Sequence, residues 1–176
     1  MGSGLSDAEK ASLKQLAAAV GCRVADSWSS AVTHVVCATN EKREARRTLK
    51  YMQGILSGCW VVSSSWVTAC LDALAAAAKP SSPSAAADTA AAAALVAEAP
   101  HEVLGDSSGG AGGPGRGRAR ASEGAPALLQ GQQVFVAGSG SAKESCAQLV
   151  KAAGGSLVTR LPPAAAVHLS FPAHQD

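Results

Sequence analysis

The sequence predicts an α/β fold, a small parallel sheet covered by helices, and three observations predict it. Between Thr33 and Leu71, two short apolar runs of strand character, Val35 to Cys37 and Trp60 to Val62, alternate with two segments whose apolar residues recur at helical spacing. Punctuation agrees: Gly58 closes the first helical segment and Ser63 to Ser65 open the second. The front of the chain also returns later, since a Gly-Ser-Gly turn, an amphipathic helix, a glycine stop and a strand occur both at residues 2–26 and at residues 138–159. Strand, helix, strand, helix in succession favours parallel pairing, because a helical crossover carries the chain back to the same edge of the sheet.

Residues 1–79 read as the first repeat. Ser6 is an N-cap candidate and Glu9 follows three residues later, a capping box; Leu13, Leu16, Ala17 and Val20 then share one helix face up to Gly21. Arg23 to Asp26 is a short strand candidate, with Trp28 expected to plug the core behind it. A turn such as Gly2-Ser3-Gly4 normally receives the chain from a strand, yet only Met1 and Gly2 precede Ser3, so the repeat is expected to lack its first strand. After the Thr33 strand comes a basic turn, Asn40 to Arg47, then Leu49, Met52, Ile55 and Leu56 at helical spacing, a strand at Trp60, and a helix carrying Trp66, Cys70 and Leu71. Residues 80–127 read as an Ala/Gly/Arg-rich linker, because alanine favours helix but nothing there builds a core face. Residues 128–176 read as a partial second repeat: a strand at Gln133 to Ala137, a helix at Ala142 to Ala153, a strand at Ser156 to Thr159 and a further candidate at Ala165 to Leu169. No counterpart of Arg47 to Leu71 follows.

Composition narrows the function classes. In 176 residues with a net charge of +2, bulk charge is too small to argue for a long polyanion as partner. Yet from Glu41 to Lys50 five basic side chains face two acidic ones, which suits a small anionic ligand. The five cysteines are scattered and never form a C-x-x-C pair, so they read as reduced, mostly buried thiols rather than a zinc site or a disulfide framework. Neither a metal nor a cofactor is expected. No signal peptide is visible and no run is long and apolar enough to span a bilayer, so no membrane partner is expected.

Two constellations carry candidate chemistry. Ser3 and Gly4 stand just before a helix, where a serine hydroxyl, unpaired backbone N–H groups and the positive end of the helix dipole can hold an anion. Arg47, Thr48 and Lys50 would share a face if the second helix begins at Arg47. A phosphate, with about −1.5 to −2 charges, fits one hydroxyl, one N–H and one ammonium. The plainer readings are a capping turn and a solvated basic face. Glycines at 138 and 140 after the Gln133 strand resemble the start of a dinucleotide site, but Lys143 occupies the third glycine position and no acidic residue follows near Thr159. His34 and Cys37 lie three apart on a strand, on opposite faces, which excludes a nucleophile–base pair.

The strings AVTHVVC, RRTLKYMQGILSGCWVV and SSSWVTACL, with GSGLS at the front, resemble a BRCT repeat, the C-terminal module of the breast-cancer-susceptibility protein and its RING-domain partner. HEVLGD, Gly113-Pro114 and APALLQGQQVFVAG resemble the plant-type members. The resemblance implies a BRCT fold, a four-stranded parallel sheet flanked by three helices, used in tandem to bind phosphoserine peptides in nuclear DNA damage repair. It implies Ser3, Gly4, Thr48 and Lys50 at the phosphate, Arg47 on the peptide main chain, Met52 in the pocket for a later peptide side chain, and Trp66 in the core; Trp28 and Trp60 are expected there too. The partners implied are phosphoserine-containing proteins and a RING-domain heterodimer partner within a ubiquitin ligase complex. Catalysis by this chain is not implied. The alternative is direct binding of DNA ends or poly(ADP-ribose) through the same pocket, aided by the Arg116 to Arg120 run.

Overall fold

The computed structural model describes residues 1–77 and 96–160. Its centre is a three-stranded parallel sheet in the order β1 (Gly2–Ser3), β2 (His34–Cys37), β4 (Trp60–Ser63). Alternation along the strands sorts the core into two halves. Val36 and Val62, paired in register, face one side with Leu13 and Leu16 of helix α1 (Asp7–Ala19) and Trp66, Val67 and Cys70 of helix α3 (Ser64–Ala77). Val35, Cys37 and Val61 face the other, against Tyr51 of helix α2 (Leu49–Leu56). Each fully buried valine contributes roughly 1.5–3 kcal/mol, so the two faces together hold the three layers.

The capping box forms as expected: the Ser6 hydroxyl accepts from the Glu9 N–H while the Glu9 carboxylate accepts from the Ser6 N–H at 2.8 Å. Helix α2 lies unusually close to the sheet because position 54 has no side chain; a Cβ on Gly54 would stand 2.8 Å from Val35 Cγ2. Trp66 is 6% exposed and donates its indole N–H to the Val96 carbonyl at 2.8 Å. Trp28 and Trp60 are only half-buried, at the margins of the core.

Three sequence expectations are corrected. The first strand is present: Gly2 and Ser3 pair with Val36 and Cys37, and the Met1 carbonyl accepts from the Val36 N–H at 2.9 Å. Its shortness explains the second correction, because Arg23 to Asp26 forms no strand; a neighbour two residues long gives that segment no ladder to join, and among the described residues the sheet has three strands where the resemblance implied four.

Third, much of the expected linker is built structure. A 3₁₀ turn at Ala99–His101 leads to Glu102, which bridges antiparallel to Val62, and to Val103, whose N–H bonds the Val61 carbonyl at 2.9 Å. Strand β5 (Gly105–Asp106) then pairs in parallel with β3 (Glu44–Ala45), and helix α4 (Gly113–Ser122) lies on α2. Val103, 1% exposed, supplies the core face the composition hid. The alanine tract and the Ala165 to Leu169 strand candidate lie outside the described residues.

The second unit is smaller. Strand β6 (Gln133–Phe135) pairs in parallel with β7 (Ser156–Val158), with helix α5 (Gly140–Ala152) connecting them, and Val134, Val150 and Ala153 are buried. Helix α5 packs on α2, where the Gln53 amide donates to Gln148 Oε1 at 3.2 Å.

Candidate phosphate site

The parallel strands end on one edge of the sheet, where the chain leaves β1 at Ser3 and enters α2 at Thr48. Helix α2 begins at Leu49, not Arg47, so Thr48 is its N-cap and accepts from the Tyr51 N–H at 3.2 Å. The Thr48 hydroxyl also stands 2.6 Å from the Ser3 hydroxyl. Either hydroxyl can donate in this contact, because Thr48 Oγ1 keeps a second lone pair beside the one that accepts from Tyr51, and Ser3 itself is buried.

Around this pair stand the other two expected residues. Gly4 is exposed with φ of 67°, a left-handed conformation that glycine adopts without strain and that turns the chain from β1 toward α1. Lys50 sits in the first turn of α2, half-buried, and lines with Gly2 and Gly4 a cavity of about 390 Å³. The structure therefore brings Ser3, Gly4, Thr48 and Lys50 together.

The source of the positive potential differs from the sequence expectation. The α1 N-terminus is already occupied by its capping box and by Asp7 and Glu9 in the first turn, which offset its dipole. The first turn of α2 carries no acid, so its dipole and Lys50 act in the same sense. The neighbouring thiol is inert, because burial pushes Cys37 up to about 12 although its bond with Ser3 acts the other way.

Arg47 lies just outside α2, and its guanidinium is held by Asp106 at 2.9 Å and 3.1 Å. Burial pushes the Asp106 carboxyl up, but bonds from Arg47 and the backbone N–H groups of Ser108 and Gly110 outweigh it, and the net pKa lies below the ordinary value. Asp106, inside the string HEVLGD, thus holds the Arg47 guanidinium in place, a contact that no local sequence signal announces. Met52 is half-buried beside Tyr51 and Ile55 on the second core half.

The arginines expected to aid nucleic-acid binding are engaged elsewhere. Arg118 makes a two-point pair with Glu102 at 3.0 and 2.9 Å and covers the Trp60 ring at 3.7 Å; Arg116 bonds the Ala111 carbonyl and Arg120 that of Leu56. Among the described residues no group of three potential metal ligands exists, and no helix is long and apolar enough to cross a membrane. Cys37, Cys59 and Cys70 are buried and unpaired. A larger apolar cavity of about 710 Å³ lies beside the unpaired Cys22 to Ala25 segment, lined by Leu13, Leu16, Val20 and Trp66.

Residues 3–71 match the family model for the BRCA1 C Terminus (BRCT) domain, and the three-layer α/β/α unit they form is a BRCT domain. Over most of its length the chain is similar to two Arabidopsis thaliana proteins. It is 33% identical to BRCA1-associated RING domain protein 1 over 89% of this chain and 20% of that protein, and 32% identical to Protein BREAST CANCER SUSCEPTIBILITY 1 homolog over 88% and 15%. Mouse BRCA1-associated RING domain protein 1 is 31% identical over 92% of this chain and 18% of its own length. The chain thus spans a fifth or less of these relatives. In fold it resembles the S. pombe Brc1 BRCT5-BRCT6 domains, with a TM-score of 0.54 and 17% identity, covering 89% of this chain and 63% of that one. The relationship marks the chain as a protein-interaction module of a DNA-repair family.

Proposed function

We propose that this module binds phosphoserine peptides and recruits the proteins that carry them in the nuclear DNA damage response. The observation that carries the reading is the convergence of Ser3, Gly4, Thr48 and Lys50, with the Ser3 and Thr48 hydroxyls in contact at 2.6 Å. Phosphate would take the Ser3 hydroxyl, the Gly4 N–H and the Lys50 ammonium, while Arg47, fixed by Asp106, would meet the peptide main chain. Met52 would bound the pocket for a later peptide side chain near the α2–α5 contact. The names of these relatives, which carry both BRCA1 and a RING domain, support a further step: the full protein would pair with a RING-domain protein in a ubiquitin ligase complex.

The test is a fluorescence-anisotropy titration of a degenerate phosphoserine peptide library and its unphosphorylated twin. A charge-assisted hydrogen bond contributes roughly 1.5–3 kcal/mol, so Lys50→Ala should weaken phosphopeptide binding about ten- to a hundredfold and leave the unphosphorylated twin unchanged. Equal binding of the two libraries by a folded chain would contradict the reading. Binding of duplex DNA or poly(ADP-ribose) with a steep salt dependence would support the alternative.

A further inference from the structure

The cavity that holds Gly4 and Lys50 has two more cationic walls. Lys10 and Lys14, one helical turn apart on α1, line the same space of about 390 Å³, and Asp26 lines it too. Three lysines and one aspartate therefore share a pocket larger than one phosphate requires. Lys14 and Lys50 have no carboxylate partner among the described residues, and the Lys10 pair with Asp7, at 2.9 Å, joins side chains 57% and 99% exposed, so solvent screening makes it easily exchanged. Neither Lys10 nor Lys14 supports the fold, since both are exposed and the core face of α1 consists of Leu13, Leu16 and Ala17.

We propose that Lys10 and Lys14 are specificity-determining residues that select peptides carrying a second negative charge close to the phosphoserine, either a carboxylate or another phosphate. The inference rests on the phosphopeptide reading of the same site. Lys50 and the Ser3 hydroxyl take the first phosphate, while the α1 lysines meet the second anion across the cavity. Asp26 sets the limit of this surface, repelling acidic groups that run past it.

The experiment compares two peptide libraries with a fixed central phosphoserine, one neutral at the three positions on either side and one with a single aspartate there. Both are titrated against the full chain, the Lys10→Ala/Lys14→Ala double variant and Asp26→Asn, with far-UV circular dichroism confirming the fold. At low ionic strength the acidic library should bind about five- to tenfold more tightly to the unmodified chain. That ratio should fall to near one in the double variant, rise in Asp26→Asn and shrink with added salt. A library containing a second phosphoserine should give a larger ratio with the same dependence on the two lysines. Phosphate-dependent binding with no acidic preference, or a preference that survives loss of both lysines, would overturn this inference and leave the phosphopeptide reading standing. Absence of phosphate-dependent binding in the folded chain would overturn both.

Discussion

At the scale of single residues, the site depends on Thr48 doing two things at once. Its oxygen caps α2 through the Tyr51 N–H, and its hydroxyl shares a hydrogen bond with that of Ser3. Thr48→Val removes both and should cost about 1 kcal/mol in urea unfolding together with a loss of phosphopeptide affinity, whereas Thr48→Ser should restore both. Asp106 gives a second, independent prediction. Its folded-state pKa lies below the ordinary 3.8, so the carboxylate stabilises the fold fully above about pH 4, and that contribution is lost as pH falls through the folded-state value. Asp106→Asn should therefore flatten the acid limb of a stability-against-pH curve; an unchanged limb would mean that the Arg47 pair contributes nothing. Ser3, Gly4 and Lys50 could be found in the sequence because a glycine turn and a charge run are local signals. Asp106 could not, because its partner Arg47 is 59 residues away and its role exists only once β5 lies beside β3.

At the scale of elements, α2 joins the parts of the chain: the sheet, α4 and α5 all pack on it. Glycines permit two of these approaches. Besides Gly54 over Val35, Gly117 of α4 rests on the Ile55 carbonyl, where a Cβ would collide with backbone. Gly117→Leu should therefore destabilise the chain by roughly 1–3 kcal/mol in chemical denaturation, although the same substitution raises helix propensity by up to about 1 kcal/mol. A stabilised variant would contradict the packing of α4. This trade also explains why α4 escaped the sequence reading. Gly113, Gly115 and Gly117 are poor helix formers, and the helix exists because small residues let it sit on α2; Pro114 at its start was the one local clue. The helices α1, α2 and α3 were readable because their apolar residues repeat at helical spacing. The strand at Arg23 to Asp26 was misread because a short polar run forms a strand only if a neighbour offers a ladder.

At the scale of the whole molecule, the segment from Val96 to Gly124 fastens the first repeat. It adds Val103 to one core half, receives the Trp66 indole N–H at Val96, and locks α4 through Glu102, Arg118 and Trp60. Arg118→Ala removes a two-point ion pair and the cover over an aromatic ring. It should lower stability by roughly 1–3 kcal/mol and leave phosphopeptide affinity within twofold, a separation that unfolding and binding titrations on one variant would check. The fold class followed from alternating periodicities. The extent of the first unit did not, since its closing segment has the composition of a linker and acquires its structure from contacts made across the chain.

The most direct test of the central claim is a ¹⁵N–¹H correlation spectrum of the chain, recorded during titration with a phosphoserine peptide and with its unphosphorylated counterpart. The account predicts saturating, phosphate-dependent shifts concentrated at the amides of Ser3, Gly4, Thr48 and Lys50, with a midpoint raised about ten- to a hundredfold in Lys50→Ala. Shifts that map instead to the arginines of α4, or that are the same for both peptides, would contradict it.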